Sequence, residues 1–385
     1  MAAATAAAEK TTMRAWLYST VRNGIENSLE LNETTAARPP WPPAKNNSQQ
    51  VLVKVHFASL NPVDYKLAEL GLMARAMISV PASPGLDFSG VVAAVAAGAE
   101  EGDYKVGDRV FGRLDPTRFG ALGEYVVADR EGLAKIPSSS LEEQQQLQAY
   151  SCIGTAGLTA YQCIAPNVTP GRGDRVFING GSGGTGTFGI QIAKKALGCY
   201  VVASCSTANV ELCRRLGADF VIDYKTQDVT AVLRELASAP PGGDGSSSGG
   251  KFKLVVDNVG LSPADLYTAA DDFLDAATGK FVQVAGGFTL TDAKAMLSRS
   301  LLPGFLGGGR RSFSYLMVKN RRADLERLGA WVAEGKIEAV IDGDGADDGD
   351  KVFDNAVVAF RKLKTGRVKG KVVVRVAKEA AVGAE

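Results

Sequence analysis

Six residues near the middle of the chain, Gly181-Ser-Gly183-Gly-Thr-Gly186, have the spacing G-x-G-x-x-G. The pattern alone is weak, but here an apolar run ends at Asn179 and helical spacing opens at Thr187. Strand, glycine turn and helix in that order form the setting in which backbone N–H groups and a helix N-terminus hold a pyrophosphate. Gly181 is expected to make the tight turn, Gly183 to let the backbone approach the phosphates, and Gly186 to let helix and strand pack closely. Gly184 and Thr185 complete the loop. About twenty residues further on, a NAD-binding unit carries an acid for the ribose 2′-hydroxyl. This chain has Ala203-Ser-Cys-Ser-Thr-Ala-Asn209 there, without an acid. Small hydroxyl and amide groups suit a 2′-phosphate, so the cofactor expected is NADP(H). Ser204, Ser206 and Asn209 are the candidate donors, with Tyr224 and Lys225 as wall and charge. Asn209 reads equally well as a helix N-cap.

Other chemistries lack their residues. The 385-residue chain has one histidine, His56, so a multi-histidine metal site is excluded. His56 lies on an alternating strand and is expected to be a lone strand residue. The five cysteines, 152, 163, 199, 205 and 213, include no C-x-x-C pair. They read as buried thiols of a reducing compartment. Asp342 to Asp350 fails the spacing of a calcium loop, with Asp347 at the sixth place and Phe353 at the twelfth. With 43 basic and 42 acidic residues, there is no electrostatic case for nucleic acid. No stretch approaches the length of a membrane span, and no secretory signal is expected at the amino terminus, which lacks a basic start followed by an apolar core. A cytoplasmic location is expected, with organelle targeting or peripheral membrane association left open.

The elements that must position the loop fall into three stretches. Residues 13–150 are β-rich, with strands at 51–57, 91–95 and 109–111 between Gly and Pro turns. Arg38 to Pro43 is a stiff proline-rich connection. Residues 151–335 alternate short apolar strands (176–178, 200–203, 220–222, 254–256, 281–284) with helices near 188–197, 209–216 and 229–236, the mark of βαβ units and a parallel sheet. Ser238 to Gly250 reads as a flexible surface loop. Residues 336–385 return to β character, and residues 1–12 read as a disordered tail. The fold class expected is α/β: a barrel-like domain, 13–150 and 336–385, interrupted by a doubly wound parallel-sheet domain.

Several motifs carry a resemblance over nearly the whole chain. They are Ser59-Leu-Asn-Pro-Val-Asp-Tyr-Lys66, Pro84-Gly-Leu-Asp-Phe-Ser-Gly90, Val106-Gly-Asp-Arg-Val-Phe-Gly112, Gly123-Glu-Tyr125, Thr155-Ala-Gly-Leu-Thr-Ala-Tyr161, the glycine loop, Leu216-Gly-Ala-Asp219 and Val256-Asp-Asn-Val-Gly260. In this order they are similar to the medium-chain dehydrogenase/reductase superfamily, and most like its zinc-independent quinone oxidoreductases. Leu302 to Gly309 suggests the plant envelope quinone-oxidoreductase-like and fungal homologues. The resemblance implies a GroES-like barrel interrupted by a Rossmann domain, with the active site in the cleft between them. It adds Thr159 and Val259 as cofactor contacts. Zinc alcohol dehydrogenases, which resemble this family, have Cys at the place of Asn61 and His-Glu at the place of Leu86-Asp87. Both zinc sites are therefore expected to be lost.

Without a metal, the expected acceptor takes hydride at carbon and spreads charge onto oxygen, as a quinone or an α,β-unsaturated carbonyl does. The motif 61–66 lines the cleft in the resembling family. It offers Asn61 as a donor to the carbonyl, Lys66 as oxyanion stabiliser or proton relay, and Tyr65 as a second proton donor, with Asp64 read as structural. The expected function is an NADPH-dependent reductase of such small molecules. The alternatives are a non-catalytic nucleotide-binding scaffold or membrane-periphery protein on the same fold, and a trans-acting enoyl reductase. A homodimer is left open.

Overall fold

The computed structural model describes residues 11–42, 50–96, 103–138 except 117 and 119, 142–239, 250–284 except 261, 312–343 and 352–377. Most of the expected tail, the loop after Ser238, the stretch Leu302 to Gly309 and most of the acidic segment after Asp342 lie outside these residues. The chain divides into two compact units. The first comprises 1–158, 320–333 and 339–385; the second comprises 159–319 and 334–338.

The first unit is built on one long strand, Gln50–Leu60. It is buried along nearly its whole length, so Val51, Leu52, Val53 and Val55 all sit in the core. A strand covered on both faces reads as a continuous apolar run. It pairs antiparallel with Asp87–Val95, with Tyr125–Asp129 and, at its far end, with Val372–Arg375. Arg109–Arg113 and Leu133–Lys135 continue the sheet, and Val352–Phe353 closes the other edge. Strand 51–57 is thus longer than its alternation suggested.

Two helices depart from expectation. The return segment is not all β, because Ala356–Lys364 is helical. The Asn355 side chain caps it by accepting from the backbone of Val357 and Val358. Ala356, Ala359 and Phe360 are buried, at the i, i+3, i+4 spacing of one helix face. Burial of a Phe side chain such as this contributes about 1.5–3 kcal/mol. The helix Arg322–Ala333, expected in the parallel-sheet domain, belongs to the first unit. There the Tyr150 hydroxyl donates to the Gly329 carbonyl at 3.1 Å.

The second unit is a six-stranded parallel sheet. Its order across the sheet is Phe220–Asp223, Tyr200–Cys205, Arg175–Asn179, Leu254–Asp257, Lys280–Gln283, Ser312–Tyr315. This is the doubly wound order 3-2-1-4-5-6, which turns back between Arg175–Asn179 and Leu254–Asp257 and places ligands beyond the carboxyl ends of those strands. All five cysteines are buried and free. Among the described residues no helix is long and apolar enough to cross a membrane.

Candidate active site

The glycine loop leaves the strand Arg175–Asn179 and enters the helix Gly184–Gln191. The tight turn is made at Gly180, not Gly181: Gly180 has φ +77°, a left-handed conformation that favours glycine. The helix begins at Gly184, three residues before the apolar spacing indicated, with Gly183 as its N-cap. A Cβ on Gly186 would stand 2.8 Å from Cα of Gly181 and even closer to the Gly180 carbonyl, so this glycine permits the close packing expected of it. Gly183 differs, because the nearest protein atom to a Cβ placed there is 3.7 Å away. Its backbone is extended, φ −79°. The described residues therefore leave room for a Cβ at 183.

A buried polar chain holds the loop in shape. The Ser204 hydroxyl donates to Asn179 Oδ1 at 2.6 Å and accepts from Gly180 N at 3.1 Å. Gly181 N donates to the Ser204 carbonyl. Asn179 Nδ2 donates to Asp257 Oδ1 at 2.9 Å, and that oxygen also accepts from the backbone of Val259 and Gly260. Ser204 is fully buried, which corrects its expected role: its hydroxyl is taken up by Asn179 and Gly180 and shapes the loop. Ser206 is half-buried, and Asn209 Nδ2 donates to Ser182 Oγ at 3.0 Å and to Ser206 Oγ at 3.3 Å. Asn209 therefore ties the hydroxyl turn to the glycine loop; its side chain makes no cap bond to the following helix. Tyr224 is exposed, with the Lys225 ammonium 5.4 Å from its ring centre. Val259 is exposed beside Gly180, and Thr159 is buried on the helix Gly154–Ile164.

The fit of a dinucleotide can be judged from these groups. Asn209 Oδ1 and both side-chain polar atoms of Asn258 are buried without a partner among the described residues. Unpaired buried polar atoms are costly, and these flank the loop whose N-cap is open. Asn258 follows the strand Leu254–Asp257 at the point where the sheet order turns back. Asn258 lies in the motif Val256-Asp-Asn-Val-Gly260 but is not among the expected contacts; the signal for it is its place one position past a strand end. The donor set suits a nicotinamide dinucleotide.

The first unit holds the second group of candidates. Asn61 is the N-cap of the short helix Pro62–Ala68, which carries Asp64, Tyr65 and Lys66. Asn61 N donates to Asp64 Oδ2 at 2.7 Å. The carboxamide is occupied on every side: Nδ2 donates to Asp87 Oδ2 at 2.8 Å and to the Ser59 carbonyl at 3.3 Å, while Oδ1 accepts from Lys371 Nζ. With both amide hydrogens used and only 4% exposure, Asn61 has none left for a substrate carbonyl. That corrects its expected role. Tyr65 is half-buried with the Lys364 ammonium 5.5 Å from its ring centre. Burial, then the Glu69 carboxylate, raises the affinity of its hydroxyl for its proton. Lys66 is half-buried and makes no hydrogen bond or ion pair among the described residues.

Asp64 is fully enclosed. Burial, and then the neighbouring Asp87 carboxylate, push it up to about 7, against the opposing pull of Asn61 N–H, Lys371 and Arg113. His56 is half-buried, and burial lowers its affinity for a proton, which leaves it a neutral strand residue. Zinc does not fit this unit. Leu86 offers no donor, Asn61 is saturated, and the Lys371 ammonium stands 3.6 Å from Asp87 Oδ2, where its charge would repel a divalent cation. Among the described residues no group of three or more His, Cys, Asp or Glu is placed to hold a metal.

Comparison with known proteins agrees with both units. Residues 47–138 match the alcohol dehydrogenase GroES-like domain family, and residues 216–374 match the zinc-binding dehydrogenase family. The trans-enoyl reductase pgmF of Aspergillus terreus is 43% identical, over 95% of this chain and 96% of its own length. The chain belongs to the medium-chain dehydrogenase/reductase superfamily. The human mitochondrial NAD(P)H oxidoreductase RTN4IP1 is 32% identical, over 85% of this chain and 82% of its own length. The quinone oxidoreductase of Coxiella burnetii is similar in structure, with a TM-score of 0.71 and 29% identity, covering 95% of this chain and all of that one. Within this superfamily the chain is a quinone-oxidoreductase-like member. It carries the zinc family's name while lacking the zinc ligands at 61 and 86.

Proposed function

We propose that this chain is an NADPH-dependent, metal-independent reductase of α,β-unsaturated carbonyls and quinones. The observation that carries the reading is the loop Gly180–Gly186, held rigid from below by Ser204, Asn179 and Asp257, with its N-cap open at Gly183. The names of the relatives, an enoyl reductase and an NAD(P)H oxidoreductase, support an oxidoreductase with a nicotinamide cofactor. Preference for the phosphorylated form rests on the turn Ser206–Asn209, whose own residues include no acid; the Asp223 carboxylate beside it is engaged by the Thr207 hydroxyl at 2.6 Å. The 43% likeness to a trans-enoyl reductase favours an enoyl substrate over a quinone.

When bound, the reduced nicotinamide supplies the hydride. The glycine loop would hold the dinucleotide's pyrophosphate, and the Ser206–Asn209 turn its 2′-phosphate. Hydride addition at the β-carbon of an enone moves the electron pair to the carbonyl oxygen, leaving an enolate that needs charge stabilisation and then a proton. Lys66, whose ammonium has no partner among the described residues, is placed to do both. Tyr65 is a second proton donor, although burial makes its hydroxyl hold its proton more tightly than an ordinary tyrosine does.

The test is NADPH oxidation against a panel of enoyl thioesters, enones and quinones, with NADH in parallel. The expected outcome is turnover of at least one class with NADPH preferred, and Ser206→Asp shifting the preference toward NADH by charge repulsion. Lys66→Met should slow single-turnover hydride transfer by about 10²-fold, the scale for one lost oxyanion donor, with NADPH affinity unchanged. Tight NADPH binding without turnover of any acceptor would make the chain a nucleotide-binding scaffold. Equal use of NADH would remove the role given to the Ser206–Asn209 turn.

A further inference from the structure

The helix that carries Lys66 starts on a buried cation whose role is so far unassigned. Lys371 precedes the strand Val372–Arg375 and is 3% exposed. Its ammonium donates to the Leu60 carbonyl at 3.0 Å and to Asn61 Oδ1, and stands 3.6 Å from Asp87 Oδ2. Two hydrogen bonds and one ion-pair contact gather around it, and all lie where strand Gln50–Leu60 gives way to helix Pro62–Ala68 or at the start of strand Asp87–Val95. Lys371 is held from behind as well: its backbone N–H donates to the Val340 carbonyl at 2.8 Å, and Val372 pairs with Leu60.

We propose that Lys371 is a positioning residue for the reduction: its ammonium clamps Leu60, Asn61 and Asp87 together, sets the start of helix Pro62–Ala68, and thereby fixes where Lys66 stands. This rests on the role given to Lys66 above.

The charges show why a clamp is needed. Two carboxylates, Asp64 and Asp87, are buried here with two cations, Lys371 and Arg113. Arg113 is turned to other partners, donating to Thr155 Oγ1 at 3.1 Å and Asn320 Oδ1 at 2.8 Å. The nearby Cys152 thiol is pushed up to about 11 by burial and is neutral. Lys371 is therefore the cation that touches Asn61. The Asn61 carboxamide keeps its orientation because Lys371 donates to its oxygen while Asp87 accepts from its nitrogen. Without the ammonium, the Asn61 oxygen has no donor among the described residues, and Asp87 keeps its hydrogen bonds from Asn61 Nδ2 and from the Thr155 backbone and hydroxyl but loses the cation beside it.

Two full-length variants separate positioning from charge balance. Lys371→Met removes the ammonium at similar volume. Lys371→Met with Asp87→Asn removes the carboxylate as well, so neither variant residue leaves a buried charge. The measurements are thermal midpoint, hydrogen exchange of residues 61–68, NADPH affinity and single-turnover hydride transfer to the acceptor that the unaltered chain reduces. For Lys371→Met, the midpoint should fall and exchange at 61–68 quicken. The hydride step should drop by about 10²-fold, as misplacement of a reacting group does. NADPH affinity should stay within twofold. In the double variant the midpoint should recover, while the exchange and the slow hydride step should not.

Recovery of chemistry together with the midpoint would make Lys371 a counter-ion only and overturn the proposal, as would normal chemistry in Lys371→Met. If Lys371→Met does not fold, the double variant decides. If the unaltered chain reduces no acceptor, the functional reading fails by itself. Exchange at 61–68 in the double variant then decides the clamp: faster exchange upholds it, unchanged exchange ends it.

Discussion

Asp64 shows how one buried group can be read in both structure and solution. Its carboxylate accepts the Asn61 N–H through Oδ2, while Oδ1 is buried without a partner among the described residues. A half-satisfied, enclosed carboxylate disfavours its charged form. Its folded-state value of about 7 lies above the ordinary 3.8. Between those values the folded chain keeps a proton that the unfolded chain has lost, so this group's contribution to stability falls as pH rises through that window. Asp64→Asn keeps an oxygen for the Asn61 N–H and removes the titration. Its thermal midpoint is expected to exceed that of the unaltered chain at pH 8 and to converge with it near pH 4. A gap that does not change with pH, measured by circular dichroism melts across this range, would show that Asp64 is charged when folded.

At the scale of elements, the turn between Arg175–Asn179 and Gly184–Gln191 contains glycines needed for different reasons. Gly186 answers to the protein's own backbone, with a neighbouring Cα at 2.8 Å from any Cβ. Gly183 answers to nothing in the protein within 3.7 Å. Two substitutions should therefore behave oppositely. Gly183→Val fits an extended backbone and should leave the melting temperature near that of the unaltered chain while abolishing NADPH binding, read by nucleotide fluorescence titration. Gly186→Val must push apart the loop and the helix, and should lower the melting temperature by several degrees or prevent folding. If Gly183→Val bound NADPH normally, the loop would not be the phosphate site.

For the molecule as a whole, the chain enters the first unit, builds the second, and comes back. All six strands of the second sheet lie between residues 175 and 315. The first sheet closes only when Val372–Arg375 pairs with the far end of Gln50–Leu60. Its core also includes Phe353 and Phe360 from the return segment. A fragment covering residues 159–338 is therefore expected to fold cooperatively and bind NADPH. Residues 1–158 alone should not, because they leave one edge of the central strand unpaired and lack those two side chains. Thermal melts of the two fragments check this; a cooperative transition from 1–158 would show that the return segment is dispensable.

The sequence by itself determined the features that depend on neighbours along the chain. The alternation of strands and helices after Arg175, the glycine spacing, the missing acid after Ala203 and the missing ligands at 61 and 86 are all local, and each can be read without a partner. The tertiary structure decided the features that depend on distant residues. Ser204 looked like a phosphate donor until Asn179 and Gly180 took its hydroxyl. Asn61 looked like a donor to substrate until Asp87 and Lys371 occupied its carboxamide, the latter from 310 residues away. The helix Ala356–Lys364 was hidden because its buried positions are filled by a pattern too short to outweigh the β-rich residues around it. A hydrogen-bonding side chain names what it can offer, but only the packed chain shows whether that offer has already been taken, since a buried polar group must find its partner inside the protein.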